Sequence, residues 1–305
     1  MSQLFSETLE GLFAEDNRVV YLDADLMGSL KTQDLWDKYP NRVFNTGIQE
    51  ANMVGVACGL FLGGFKPIIH SFSPFASRRV FDQLMVSVSY AHKDVTVIGS
   101  DAGICATFNG GTHMCFEDVA MLRSVPEATI IDVCDGVSFV ELLKKAQNLK
   151  GLKYFRTARR GLPDVYSDTE NFEFGKGKRI VAGTDVTIVA SGIQLAEAIK
   201  AGKLLLNENI SAEIIDPVTV KPLDEDLIIG SAKKTGLVIT TENASIYGGL
   251  GDAVASVLAE HYPTRVVKNG IKDKFGQVGG MDYLRQQYEL RDIDLVKMIK
   301  SLLKK

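Results

Sequence analysis

Glu50 is the only formal charge in Phe44–Gly64, FNTGIQEANMVGVACGLFLGG, a stretch that is otherwise apolar, polar-neutral and glycine-rich. An acid enclosed by such residues loses hydration of its charged form, so it can keep or share a proton with a bound ligand near neutral pH. The competing reading is a carboxylate stabilised by the positive end of a helix, with its head in water. Two features favour a ligand: no basic residue lies nearby in sequence, and the helix face beside Glu50 is unusually small. Further on, Phe72-Ser73-Pro74-Phe75 places two rings three positions apart. They can pack in a core or stack on a flat heteroaromatic ring. Asp101–His113, DAGICATFNGGTH, gathers polar groups on a glycine-hinged segment after an apolar run, as an active-site loop would.

These groups need a scaffold, and the sequence supplies one. Thr46 can cap a helix, with Gln49 three positions on completing a capping box. Ala51, Gly55 and Gly59 then share one face, on which a ligand or another backbone can lie closely. Met53, Val54, Val56, Leu60 and Leu62 cover the other faces, so this helix is expected to be buried nearly all round. Burial should raise the Glu50 pKa, partly opposed by the helix N-terminus.

Short apolar runs at 19–22, 65–72, 95–100, 129–133 and 153–157 suit buried strands, with helices near 76–90, 116–124 and 137–149 between them. The first run ends in Asp23-Ala24-Asp25-Leu26, acids at the carboxyl end of a strand, where open α/β sheets bind ligands. The polar stretch 162–178 breaks the pattern, which resumes with strands at 186–190, 212–215, 237–240 and 265–268 and helices at 195–206, 251–260 and 292–303. The alternation indicates an α/β chain of two doubly wound domains with mostly parallel sheets. The expected division is 1–165, a linker at 166–180, and 181–305.

Composition narrows the functional classes. The chain has 305 residues, enough for two cores, with 46% hydrophobic and 24% charged residues and a net charge of −4. A mildly acidic balance without a basic run speaks against nucleic acid or an anionic membrane as partner. The N-terminus opens an amphipathic helix instead of a signal peptide, and Cys58, Cys105, Cys115 and Cys134 lack CxxC spacing. Both are expected of a cytoplasmic protein with reduced thiols. The scattered His70, His92, His113 and His261 make no metal-ligand pattern. Gly248-Gly249-Leu250-Gly251 lacks the third glycine of a dinucleotide fingerprint, since position 254 is Val, so tight packing is the better reading.

Taken in order, DADL (23–26), GIQEANM (47–53), SFSPFASRRVFDQ (71–83), GGTH before EDVAMLRSVP (117–126), FRTAR (155–159) and TENASIYGGLGDAV (241–254) resemble the C-terminal half of transketolase, a thiamine diphosphate enzyme. The resemblance implies that Glu50 hydrogen-bonds the cofactor's aminopyrimidine and promotes its imino tautomer, with Phe72 and Phe75 as the aromatic platform. Asp25 and Leu26 match positions beside the cofactor, and His113 matches a residue that assists proton transfer. Ser29 and Arg159 match positions that hold a sugar phosphate; spacing leaves Arg78 and Arg79 unassigned. The reaction implied is transfer of a two-carbon ketol unit between a ketose and an aldose.

Two positions depart from the family. Asp101 replaces a histidine that contacts the phosphate, and Asn109 replaces an aspartate that orients a substrate hydroxyl, so an unphosphorylated or differently placed donor stands open beside the usual sugar phosphates. No GDG segment occurs. The diphosphate and its Mg²⁺ or Ca²⁺ are therefore expected on a separate N-terminal subunit, in an α2β2 assembly with a homodimer contact and no activity in the lone chain. The alternatives are the β subunit of a 2-oxo acid dehydrogenase, which shares this layout, and a non-catalytic regulatory subunit on the same fold.

Overall fold

The computed structural model describes residues 1–167 and 170–303. Helix α1 (Ser2–Glu15) precedes β1 (Val19–Asp23), and the short α2 (Met27–Leu30) and α3 (Gln33–Lys38) lead to β2 (Val43–Asn45). Then follow α4 (Glu50–Leu62), β3 (Lys66–Phe72), α5 (Ser73–Ala76), a 3₁₀ turn (Arg78–Val80), a π-helical segment (Gln83–Tyr90) and β4 (Val95–Ser100). A 3₁₀ segment (Gly103–Asn109), α6 (Asp118–Arg123), β5 (Thr129–Asp132), α7 (Gly136–Ala146) and β6 (Leu152–Arg156) come next. After the polar break lie β7 (Lys178–Val181), β8 (Val186–Ala190), α8 (Gln194–Leu206), β9 (Ala212–Asp216), β10 (Thr219–Lys221) and α9 (Glu225–Thr235). The chain finishes with β11 (Leu237–Ser245), α10 (Leu250–His261), β12 (Arg265–Ile271), α11 (Met281–Gln287) and α12 (Asp292–Leu303).

Two mostly parallel sheets result. The first has seven strands in the order β10-β5-β6-β4-β3-β1-β2, and the second five, β12-β11-β8-β9-β7. β1, β4, β5 and β6 are buried at every position, as strands covered by helices on both faces must be. β10 was not expected. It comes from the second half of the sequence yet pairs antiparallel with β5 of the first sheet. Its last residue, Lys221, donates to the Arg123 and Val125 carbonyls at 2.9 and 2.5 Å.

The two sheets meet around a buried cation. Arg156 is 1% exposed and donates to Asp118 (2.8 Å), Asp132 (2.9 Å) and the Asn243 carbonyl (2.9 Å). Asn243, on β11, also bonds the Ala102 carbonyl and the Ile104 amide, each at 2.9 Å. Ser191, past β8, donates to Asp132 at 2.8 Å. An interior guanidinium survives only when fully paired, so this cluster fixes one arrangement of the two sheets.

Several local expectations are corrected. α4 starts at Glu50, not Thr46: Gly47 sits at φ 73, which a right-handed helix cannot include, and no side chain caps the helix. Thr46 instead donates to the Asp23 carbonyl at 3.0 Å. α4 is also not buried all round. Its small face (Ala51, Gly55, Gly59) is exposed with Val56 and Leu62, because nothing in this chain lies on it. The single helix expected over 76–90 is broken after Ala76, where Ser77 adopts φ −129, ψ −80 and its hydroxyl returns to the Ser73 carbonyl at 2.6 Å.

Candidate active site

The strand order of the first sheet reverses between β1 and β3, which opens a crevice at their carboxyl ends. Four segments converge there: the turn after β1, the first turn of α4, Phe72–Phe75 after β3, and the loop after β4.

Beneath the crevice lies a sealed polar chain. Asp23 accepts from the Tyr21 hydroxyl at 2.6 Å and faces His70 Nδ1 at 2.8 Å, while His70 Nε2 lies 2.8 Å from Ser100 Oγ. These spacings match an acid–base–hydroxyl relay, but Asp23, His70 and Ser100 are fully buried, so no substrate reaches them. Their effect is to tie β1, β3 and β4 together directly under the site. The leading Asp23 of DADL therefore points down into the sheet. Its other oxygen accepts from the Leu26 amide, which bends the chain so that Asp25, at φ 64, faces out.

Glu50 opens α4 and is 2% exposed. Ser71 donates to its Oε1 at 2.9 Å and Arg79 to its Oε2 at 2.7 Å. No basic residue lies near Glu50 in sequence, but the fold brings one to it. Arg79 arrives from the 3₁₀ turn, 29 positions along the chain, where local sequence inspection cannot see it. The same guanidinium lies over the Phe75 ring, 3.9 Å from its centroid.

Phe72 and Phe75 are 6.5 Å apart between centroids, and His113 sits edge-on to both, at 5.8 and 5.3 Å. Arg159 lies over Phe72 at 4.8 Å. Glu50, Phe72, Phe75 and His113 therefore come together with Arg159, and Arg79 joins them as the residue sequence reasoning left unassigned.

Asp101, buried and at φ 54, engages Arg159 with both oxygens, accepting from its amide at 2.9 Å and from its Nε at 2.5 Å. Ser29 bonds back to the Leu26 carbonyl at 2.7 Å. Ser2 links the two edges of the site, donating to the carbonyls of Ser29 (3.0 Å) and Arg159 (2.9 Å). Asp25 is exposed and exchanges hydrogen bonds with Asn45 at 3.1 and 3.0 Å. Asn109 is exposed at the end of the 3₁₀ segment, and among the described residues no hydrogen bond or ion pair ties it to the ring cluster.

The glycine-rich turn at 248–251 serves the protein itself. Glu242 accepts from the Leu250 and Gly251 amides, both at 2.8 Å, so a buried carboxylate fills the anion-binding end of α10. Burial pushes this carboxyl up to about 7, against the two amides that favour its ionised form. A side chain at Gly249 would collide with it, its Cβ only 2.0 Å from Glu242 Oε2.

Known proteins resemble this chain over most of its length. Residues 1–164 match the family described as "Transketolase, pyrimidine binding domain" and residues 175–291 that described as "Transketolase, C-terminal domain". The chain is 42% identical to the 6-deoxy-6-sulfo-D-fructose transketolase subunit SqwH of Clostridium sp. (strain MSTE9), over 93% of this chain and 88% of that protein. It is 37% identical to a putative transketolase C-terminal section of Methanocaldococcus jannaschii, covering all of this chain and 96% of the relative. A solved structure described as "Split gene transketolase, inactive beta4 tetramer" superposes with TM-score 0.89 at 38% identity, covering 99% of this chain and 97% of that one. The chain belongs to the transketolase family, with that family's pyrimidine-binding and C-terminal domains and relatives that are the C-terminal parts of split enzymes.

Proposed function

We propose that this chain is the C-terminal subunit of a split transketolase and transfers a two-carbon ketol unit between sugars once an N-terminal partner subunit is bound. The observation that carries this reading is the seat of Arg79. A planar N–C–N group sits against the Glu50 carboxylate and over the Phe75 face. The aminopyrimidine of thiamine diphosphate presents the same flat N–C–N edge and a stackable face, so the residues fit it. Bound there, the cofactor supplies the nucleophilic carbon and the electron sink for breaking a bond beside a carbonyl.

The chain's own residues would do the rest. Glu50 Oε2, once free of Arg79, would be the carboxylate that holds the cofactor's aminopyrimidine and can give or take a proton there, while Ser71 holds Oε1 and fixes the carboxyl plane. Phe72 and Phe75 would offer the ring an aromatic platform, with Asp25 and Leu26 beside it, and His113 would be placed to move a proton at the reacting sugar. Arg159 and Ser29 meet the substrate tail and Asn109 lies further out on the loop. The Asp101–Arg159 pair carries no net charge, which suits an uncharged or singly charged tail better than a phosphate dianion. A sulfonated sugar, of the kind named in the Clostridium relative, has such a tail.

The diphosphate and its Mg²⁺ or Ca²⁺ would be held by the partner subunit, in an assembly of two copies of each chain. The exposed small face of α4, with Ile48 (71% exposed) and Leu62 (74%), is where another chain would lie. We divide the chain at the 166–180 linker into a pyrimidine-binding and a C-terminal domain, and we place the protein in the cytoplasm. No helix among the described residues is long and apolar enough to cross a membrane.

The test is ketol transfer by the chain reconstituted with its partner, cofactor and Mg²⁺, across phosphorylated, sulfonated and plain sugars. Glu50→Gln should lower kcat by about 10²–10⁴-fold while assembly persists. Full activity in Glu50→Gln, or turnover by the chain alone, would overturn the reading.

A further inference from the structure

At the opposite end of the first sheet is a crevice that the proposed chemistry does not use. It has a volume of about 300 Å³ and lies at the amino ends of β3, β4 and β6. That is one strand length from the candidate active site, roughly 20 Å at about 3.3 Å per residue. Arg18, Lys66, Asp94 and Lys153 line it together with Phe61 and Phe65.

The charges there do not balance. Asp16 pairs with both Arg18 (2.7 Å) and Lys66 (3.1 Å), and one oxygen of Asp94 accepts the Gly151 amide at 2.6 Å. Lys153 is 3% exposed, and among the described residues its ammonium has one hydrogen bond, to the Leu149 carbonyl at 3.0 Å. Among the described residues no carboxylate comes within ion-pairing distance of it. Three cations thus face two carboxylates, leaving one positive charge and two ammonium hydrogens of Lys153 uncommitted. A buried ammonium so placed is costly, and an anion in the crevice removes the cost. The same strain appears in its titration: burial pushes the ammonium down to about 8, with Lys66 adding to the shift and Asp94 opposing it.

We propose that this crevice binds a small organic acid, its carboxylate bridging Lys153 and Lys66 and its apolar body resting against Phe61 and Phe65. One surplus positive charge selects a monoanion, and the two rings select an apolar body over inorganic phosphate. The volume is at the small end of ordinary ligand sites.

The test uses the full-length chain and three probes: benzoate, benzyl alcohol and inorganic phosphate. Saturation-transfer NMR and thermal shift should show saturable benzoate binding, with benzyl alcohol and phosphate each at least tenfold weaker. Lys153→Met should weaken benzoate at least tenfold and raise the melting temperature of the ligand-free chain. Lys66→Gln, at a more exposed position, should weaken benzoate several-fold and serves as the reading variant if Lys153→Met does not fold. Absence of saturable benzoate binding, or binding unchanged in the folded variants, overturns the proposal. Phosphate or benzyl alcohol binding as tightly as benzoate overturns the assignment to a carboxylate.

Discussion

Under the proposed function, Asp101 is the side chain that would alter what the site accepts. It is buried, holds a left-handed backbone conformation, and spends both oxygens on Arg159. Asp101→Asn keeps one acceptor for the Arg159 amide but removes the charge, leaving the guanidinium cationic. In the reconstituted enzyme, KM for a sugar phosphate should fall by about 3–10-fold, with little change for the same sugar without phosphate. An unchanged ratio of the two KM values would show that Arg159 does not meet the tail. At this scale the sequence was informative where a residue's type is its message: a lone acid in apolar surroundings and paired rings after a strand. Arg79 escaped because its meaning comes from a fold-back of 29 positions onto Glu50. The Asp23–His70–Ser100 chain escaped because its members lie on three strands that only the sheet brings together.

Helix α10 carries the prediction for the elements. Glu242 binds its proton more tightly in the folded chain, up to about 7, than at its ordinary 4.5. Its contribution to stability is complete below about pH 4.5 and is lost as pH rises towards 7, by on the order of 2–3 kcal/mol. Asp216, pushed up to about 6 by burial, acts with the same sign at lower pH, so Glu242 is best read between pH 6 and 8. Denaturant unfolding of the wild type should show stability falling across that interval, and Glu242→Gln should flatten the slope; a parallel slope would refute the assignment. Elements with strong apolar runs, such as β1, β4 and β8, were legible to within a residue. The start of α4 was not, because the left-handed Gly47 outranks a capping pattern. Nor was the break after Ala76, where one serine hydroxyl closes the preceding turn.

For the whole molecule, the sequence shows two α/β halves, but not that they share parts. Arg156 and its acids join them at the centre, and β10 reaches from the second half to complete the first sheet. β10 was illegible because three residues after a strand look like a loop until their partner is known. Calorimetry of the full chain should give one cooperative transition, and a 1–165 fragment should be insoluble or oligomeric, since β5 would present an open edge. Two separated transitions, or a monomeric soluble fragment, would count against this. The consequence reaches beyond folding. One relative is described as a split-gene transketolase and another as a transketolase C-terminal section, so genes of this family can be cut ahead of the part described here. A break at the next boundary along would place β10 on a different polypeptide from the sheet it completes. Any recombination that exchanges the last domain would also replace the edge strand of the first sheet, so the two domains should be inherited as one unit.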